Sequence, residues 1–422
     1  MDSFKITIIA LSKSVDLEFK SDRLIEEFAN DFMLSLAKDI DYDNKTVTIE
    51  SLQINTVEIR DKFSVIVDKY KDLDVKMNQL NSYFKSLKEG EYFFIFPNTI
   101  SKDESFQFYN YLTAKAEGKD YKKVANEIDD LFGVLQKTYS ISAFDENTKS
   151  KIGEPDKAKR ICRFCGKKSN EVTFKKIAHA ISEGLGNKKI IGYEECDICN
   201  DKFGSGIESE LIAYLDLFRM FFGIKGKNGI PKLKGQNYEI ENNGTIEIKH
   251  FLQDGEVKEE KDENLKNISL KLKTNQKITN QNLYKALCKF ALSVIDKKQL
   301  KHFDETISWI NDDITKKELP KVAMLKSYDL FAHHPKLVLY NRKTEESLPF
   351  TVAEFRFTLL TFVFIVPFCA KDKVDYLNET DYQRFWSFFK HYESTKNWSF
   401  LNLSDDKEKP LKMNLKMESK SK

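Results

Sequence analysis

Residues 194–204 read EECDICNDKFG, and residues 160–168 read RICRFCGKK. Each stretch holds two cysteines separated by two residues, so four of the six cysteines in the 422-residue chain share one spacing. Two intervening residues let one tight turn present both thiolates to a tetrahedral ion, and two such turns complete a Cys₄ shell. We therefore predict a structural Zn²⁺ site formed by Cys162, Cys165, Cys196 and Cys199.

The composition predicts a folded chain without a strong overall charge. Hydrophobic residues make up 41% and the net charge is +2, so the chain lacks the overall basic character of many nucleic-acid binders. Residues 151–234, which hold the cysteine pairs, carry 17 Lys and Arg against 11 Asp and Glu. This local excess would favour a polyanion, and a solvated basic surface would give the same count.

The N-terminal stretch MDSFKITIIALSKS lacks the features of a secretory signal, which favours a cytoplasmic location. Paired cysteines in a reducing compartment indicate metal binding rather than disulfides. The longest apolar run, residues 357–370, is too short to span a membrane and predicts a buried strand. Cys288 and Cys369 lie in apolar segments and are predicted to be small core residues.

The predicted fold class is α+β with several domains. Residues 1–150 form a mixed α/β region with strands near 5–11 and 91–97, and it is a candidate sensing or partner-binding region. Polar residues 145–160 read as a linker, and residues 151–230 form the cysteine-bearing module. Residues 231–405 form a region of helix and antiparallel strands, and the charged segment 406–422 is predicted to be a disordered tail.

The segment between the cysteine pairs carries one histidine, His179, after a strand-like stretch and before the turn ISEGLGN (181–187). The order CxxC, strand, His179, turn, CxxC and Asn200 resembles the HNH endonucleases of the zinc-knuckle, ββα-metal type over about residues 161–215. The resemblance implies a central ββα module stapled by the Cys₄ zinc site. It also implies metal-dependent hydrolysis of nucleic-acid phosphodiester bonds, with DNA favoured.

The resemblance assigns roles to individual residues. His179 would act as general base, a task suited to a group whose pKa lies near neutrality. Asn200 would offer its amide oxygen to a catalytic divalent ion, Mg²⁺ or Mn²⁺, which prefers oxygen ligands. Asn187 fits the middle asparagine of the motif. Two positions depart from many relatives: Ala178 stands where an acid often precedes the histidine, and Ser182 stands where a proline often follows it.

The remaining ligands of the catalytic ion stay open among four carboxylates: Glu183, Glu194, Glu195 and Glu208. Glu208 lies eight residues after Asn200, which would place both on one face of a single helix. Four lysines could contact neighbouring phosphates or simply be solvated: Lys175, Lys176, Lys188 and Lys189. The pair His333-His334 has no ligand spacing around it and is predicted to form a turn.

The sequence thus predicts a metal-dependent HNH endonuclease gated by its flanking regions or by a partner. A sensor, an Argonaute-like protein or a second copy of the chain are the candidate partners. The arrangement is similar to prokaryotic restriction or anti-phage defence effectors. The alternative is a non-catalytic zinc-knuckle module that binds nucleic acid or protein.

Overall fold

The computed structural model describes residues 2–21, 24–41, 46–100, 102–146, 149–251, 267–344 and 347–418. The chain divides into two compact units, residues 1–133 and residues 134–422. Within the described residues, no helix has the length and apolarity needed to span a membrane. The finer domain boundaries predicted at residues 150, 230 and 405 stay predictions.

The N-terminal unit combines short strands with amphipathic helices. Its strands are β1 (Asp2–Ala10), β2 (Ser14–Ser21), β3 (Ala37–Asp41), β4 (Thr46–Ile49), β5 (Leu52–Ile54) and β6 (Tyr92–Phe96). Its helices are α1 (Ile25–Ser35), α2 (Val57–Lys69), α3 (Met77–Ser86), α4 (Lys102–Ala116) and α5 (Tyr121–Ile128), followed by a π-helical turn (Asp129–Gly133).

Four of these strands form an antiparallel sheet in the order β2-β1-β6-β5. The two strands predicted from sequence are neighbours in it, with Ile8 of β1 opposite Ile95 of β6. Side chains alternate across a strand, so the neighbours Ile8 and Ile9 of β1 point to opposite faces of the sheet. Both are buried. Ile8 packs into the core formed with α1, α2 and α3, while Ile9 packs on the other side with Leu112 of α4.

The second unit carries the remaining elements. Its strands are β7 (Tyr139–Phe144), β8 (Ser150–Ile152), β9 (Ala178–His179), β10 (Ile190–Gly192), β11 (Leu233–Lys234), β12 (Tyr238–Asn242), β13 (Ile246–His250), β14 (Asn267–Thr279), β15 (Val322–Lys326), β16 (Ala332–Arg342), β17 (Thr351–Thr358), β18 (Leu360–Ile365), β19 (Ser399–Leu401) and β20 (Glu408–Glu418). Its helices are α6 (Val134–Thr138), α7 (Asp197–Ser205), α8 (Ile207–Phe221), α9 (Asn280–Val294), α10 (Lys297–Leu300), α11 (Asp304–Ile310), α12 (Glu379–Phe388) and α13 (Lys390–Glu393).

A six-stranded antiparallel sheet supports this unit, in the order β19-β15-β18-β17-β16-β7. Every residue of β18 is buried, so the buried strand predicted within residues 357–370 is confirmed. Helix α9 is buried along nearly its whole length, which explains its mostly apolar sequence. The Tyr284 hydroxyl of α9 donates to the Ile365 carbonyl oxygen of β18 at 2.7 Å, which ties helix to sheet.

The cysteine-bearing module lies on the same core as this sheet. It consists of a small sheet in the order β8-β10-β9 followed by α7. Phe164 and Phe203 of the module share one continuous apolar cluster with Phe355 of β17. The predicted α+β class, with a four-cysteine cluster in the predicted region, is confirmed.

Three local predictions are wrong. The predicted linker 145–160 contributes β8, which pairs in parallel with β10. His333-His334 belongs to β16, next to a register shift between Ala332 and Lys336, rather than to a turn.

The third wrong prediction is the disordered tail, because Glu408–Glu418 forms β20 and pairs with β14. Leucine and methionine alternate with polar residues from 411 to 417 in this segment, and this period of two outweighs its high charge. Residues 419–422 of the predicted tail lie outside the described residues.

Candidate functional site

The four predicted zinc ligands converge. The sulfur atoms of Cys162, Cys165, Cys196 and Cys199 all lie within 4.8 Å of one another. In the first knuckle the Gly166 amide donates to the Cys162 carbonyl oxygen at 3.0 Å, and Gly166 has the positive φ of +69° that favours glycine. The second pair spans the first turn of α7, where Cys196 precedes the helix. The donor set and its closeness fit a tetrahedral structural metal such as zinc.

The ionisation of these thiols also fits a cation. A hydrogen bond from Cys199 lowers the pKa of Cys162 to about 5. Burial raises the pKa of Cys196 to about 11, since a thiolate is poorly solvated there. A bound metal ion would supply positive charge that stabilises the thiolate form of the four cysteines. Cys288 and Cys369 are buried in the apolar core, as predicted.

A buried arginine anchors the first knuckle to the rest of the unit. The Arg163 guanidinium donates from Nη1 to the Ile295 carbonyl oxygen at 2.6 Å, just beyond the end of α9. Its Nε donates to Glu194 at 3.2 Å, and Lys297 donates to the other oxygen of Glu194 at 2.8 Å. Glu194 therefore pairs with two cations, Arg163 and Lys297, and helps to hold the first knuckle against the end of α9.

His179 ends β9 and lies opposite Ile191 of β10. Its ring is half-buried, and its Nδ1 atom is buried without a hydrogen-bond partner among the described residues. Burial lowers the pKa of His179 below its usual 6.5, more than the nearby Glu183 carboxylate raises it. The neutral ring, the form that accepts a proton, is therefore favoured at neutral pH.

Asn187 holds the turn between β9 and β10. It is completely buried, and its amide nitrogen donates to the Ile181 and Ile190 carbonyl oxygens at 2.6 and 3.0 Å. Its amide oxygen accepts from the backbone amides of Lys189 and Ile190 at 3.2 and 3.0 Å. All of these bonds lie within the turn, so the contacts of Asn187 position the two strands.

A cavity of about 480 Å³ collects most of the other candidates. His179, Asn200, Glu208 and Glu183 line it together, and a Glu183 oxygen lies 4.0 Å from Lys227. Residues that the sequence did not suggest also line it, among them Asp216, Arg219 and residues 227–229. The cavity thus brings one imidazole, two side-chain amides (Asn200 and Asn228) and three carboxylates (Glu183, Glu208 and Asp216) to one solvent-accessible place.

Asn200 and Glu208 do not share one helix, so that prediction is wrong. Helix α7 ends at Ser205 and α8 begins at Ile207, with Gly206 between them at φ −102° and ψ −110°. A Cβ atom on Gly206 would lie 2.9 Å from the Lys202 carbonyl oxygen. The two helices meet at this residue, and Glu208 reaches the cavity from the first turn of the second helix.

A buried ion cluster lies behind Glu208. Lys289 of α9 places Nζ 2.6 Å from Glu208 Oε1 and 3.0 Å from Glu195 Oε2. The second contact lies outside hydrogen-bond geometry and is ionic in character. Burial raises the pKa of Glu195 to about 7 against the opposing effect of Lys289. For Lys289, burial acts to lower the pKa, but Glu195 and Glu208 outweigh it and the pKa rises.

The other candidate carboxylates and lysines differ in whether they line the cavity, form ion pairs or are exposed. Glu194 and Glu195 are buried in ion pairs and do not line the cavity. Lys176 pairs with Asp201 at 2.6 Å, and Lys189 donates from Nζ to the Glu146 carbonyl oxygen at 2.6 Å. Lys175 and Lys188 are exposed.

Sequence reasoning missed Lys289. The available signal was a pair of lysines four residues apart, Lys285 and Lys289, in an otherwise mostly apolar helix. A lysine on a buried helix needs a partner, because an unpaired buried charge is costly.

Comparison with known proteins supports the resemblance for one segment. Residues 162–215 match the family model of the HNH endonucleases, which confirms the predicted family for that region. No curated protein and no solved structure shows a significant match to the chain. The HNH family consists in general of nucleases, so nuclease activity and nucleic-acid binding are supported for this segment at the family level.

Proposed function

We propose that the protein is a metal-dependent endonuclease that hydrolyses phosphodiester bonds, with DNA as the favoured substrate. One observation carries the proposal: His179, Asn200 and Glu208 line a single cavity, and Asn200 directly follows Cys199 of the four-cysteine cluster. Geometry comes first in assigning a general base, and the half-buried imidazole of His179 lines this cavity, where an attacking water could reach it.

The cavity residues fit a hard divalent cation. Asn200 offers an amide oxygen and Glu208 a carboxylate, the donor types that Mg²⁺ and Mn²⁺ prefer. Asn200 and Glu208 would hold the ion, with Glu183, which also lines the cavity, as a further candidate. When bound, the ion supplies positive charge that stabilises a phosphodiester and its leaving oxygen.

The remaining roles in catalysis and substrate binding are assigned to residues of the chain itself. His179 accepts the proton of an attacking water, and its neutral form is available because burial lowers its pKa. Asn187 fixes the turn that follows His179, and the zinc knuckle fixes the start of α7, which carries Asn200. Lys175 and Lys188, which are exposed, are proposed to contact flanking phosphates.

The biological setting is also a proposal. A small catalytic segment within a large chain suggests gating by the flanking regions, by a sensor or Argonaute-like partner, or by self-association. Restriction or anti-phage defence in a prokaryotic cytoplasm is the setting that this architecture favours by analogy.

Cleavage assays test the proposed function directly. Purified protein is incubated with double-stranded DNA, single-stranded DNA and RNA, with and without Mg²⁺ or Mn²⁺, together with the His179→Ala variant. The expected result is cleavage that EDTA abolishes, that Mg²⁺ restores and that His179→Ala lacks. Unchanged cleavage by a folded His179→Ala variant would reject the assignment.

A second candidate function is a non-catalytic module that binds nucleic acid or protein. Ala178 favours it, because many relatives carry an acidic residue immediately before the histidine. Nucleic-acid binding without turnover in the presence of either divalent ion would support this alternative.

A further inference from the structure

We propose that Lys289 of α9 is a positioning residue that holds the Glu208 carboxylate at the cavity, ready to bind a divalent cation. The proposal rests on the proposed function and deepens it, because Lys289 lies outside residues 162–215. A residue of the flanking region would then complete the cation site of the HNH segment.

The contacts of Lys289 are short and shielded from water. Its side chain is 1% exposed, and its Nζ atom lies 2.6 Å from Glu208 Oε1. The ammonium also lies 5.9 Å from the ring centroids of both Phe164 and Phe203. In such surroundings a charge contact is much stronger than in water, so the direction of the Glu208 carboxylate is strongly determined.

Glu208 keeps the capacity for a second partner. An ionised carboxylate has two oxygens and about four lone-pair sites, and the contact with Lys289 uses Oε1. Because Glu208 also lines the cavity with His179 and Asn200, it can accept a cation there while Lys289 holds it from behind.

The same lysine connects this carboxylate to the zinc knuckle. Glu195, its other partner, directly precedes the zinc-ligand candidate Cys196. Without Lys289, two buried carboxylates would face each other with no positive charge between them. Glu208 would then turn away from Glu195, and the cavity would lose an oriented oxygen donor.

Helix α9 supplies a matched control. Lys285 lies one turn before Lys289, is also buried and pairs with Asp312. It packs 5.5 Å from the ring centroid of Trp309 and does not line the cavity. Lys285→Met therefore removes a buried lysine from the same helix without touching Glu208.

The experiment measures Mn²⁺ binding to the zinc-loaded full-length chain by electron paramagnetic resonance, independently of turnover. Lys289→Met should weaken Mn²⁺ binding about 10- to 100-fold, as loss of an outer partner of a metal ligand does elsewhere. Lys285→Met should stay within about twofold of the unmodified protein, and Lys289→Arg should recover most of the affinity. In a Glu208→Gln background, Lys289→Met should have no further effect, because no carboxylate remains to be positioned.

Zinc content and cleavage are measured on the same samples. If Lys289→Met loses zinc, Lys289→Gln replaces it under the same criterion. Unchanged Mn²⁺ affinity in a zinc-retaining Lys289 variant, or absence of Mn²⁺ binding by the unmodified chain, would overturn the positioning role. Mn²⁺ binding that depends on Glu208 and Lys289 without any nuclease activity would instead reject the proposed function and leave the positioning role standing.

Discussion

Replacement of Asn187 by alanine should destabilise the second unit and disorganise the turn that follows His179. The amide makes four hydrogen bonds, two as donor and two as acceptor, at a completely buried position. A hydrogen bond contributes about 1 kcal/mol net, and a buried group left without a partner costs at least that much. The free energy of unfolding should therefore fall by about 3–4 kcal/mol.

The loss of activity should exceed what unfolding explains. His179 pairs with Ile191 across the two strands that Asn187 connects, so a looser turn displaces the imidazole. A displacement of about 1 Å in a reacting group can cost about 100-fold in rate. Cleavage by folded Asn187→Ala protein should fall by roughly that factor.

Thermal unfolding and cleavage assays on the same preparation separate the two effects. At about 2 °C per kcal/mol for a unit of this size, the melting temperature should fall by about 6–8 °C. Asn200→Ala is the control: it removes a cavity-lining amide, so activity should fall while the melting temperature changes by less than about 2 °C. If Asn187→Ala melts like the unmodified protein, the turn does not depend on this amide and the reasoning fails.

Three further perturbations have defined outcomes. Removal of zinc by a strong chelator should make residues 160–205 sensitive to protease, since structural zinc contributes about 10 kcal/mol or more to the folding free energy of such modules. A digestion pattern that does not change when zinc is removed would contradict this. Gly206→Ala should lower cleavage while keeping zinc, because the new Cβ would lie 2.9 Å from the Lys202 carbonyl oxygen and would disturb the junction between α7 and α8. Gly192→Ala, whose Cβ meets no atom within 4 Å, is the control. Burial lowers the pKa of His391 to about 4, so the unfolded chain, with a pKa near 6.5, binds this proton more readily. Stability is therefore lost as pH falls from about 6.5 towards 4, by at most about 2 kcal/mol at pH 5. The melting temperature of His391→Gln should differ less between pH 7 and pH 5 than that of the unmodified protein.

The parts of the site that sequence could predict are those encoded by neighbouring residues. The CxxC pairs and the order of His179 and Asn200 are local patterns, and the structure brings the four sulfur atoms together and places His179 and Asn200 on one cavity. The interruption of the helix at Gly206 escaped prediction, because the residues on both sides of the glycine continue a helical pattern.

Partnerships between distant segments escaped prediction for a different reason. Lys289 meets Glu208 across 81 residues of chain, and no local periodicity encodes that contact. Strand β7 joins the edge of a sheet whose other strands all follow residue 320, so its sequence gave no sign of its neighbours. The charged composition of β20 predicts disorder, and only its pairing with the distant strand β14 gives it a regular structure.

The shared apolar cluster has a practical consequence for protein engineering. Phe164 and Phe203 pack in the same cluster as the large sheet, so a fragment cut at residues 151 and 230 would expose apolar surface to water. Such an excised fragment should aggregate on expression. A chimera that exchanges this HNH segment should instead be joined between Gly133 and Val134, where the two compact units adjoin along the chain.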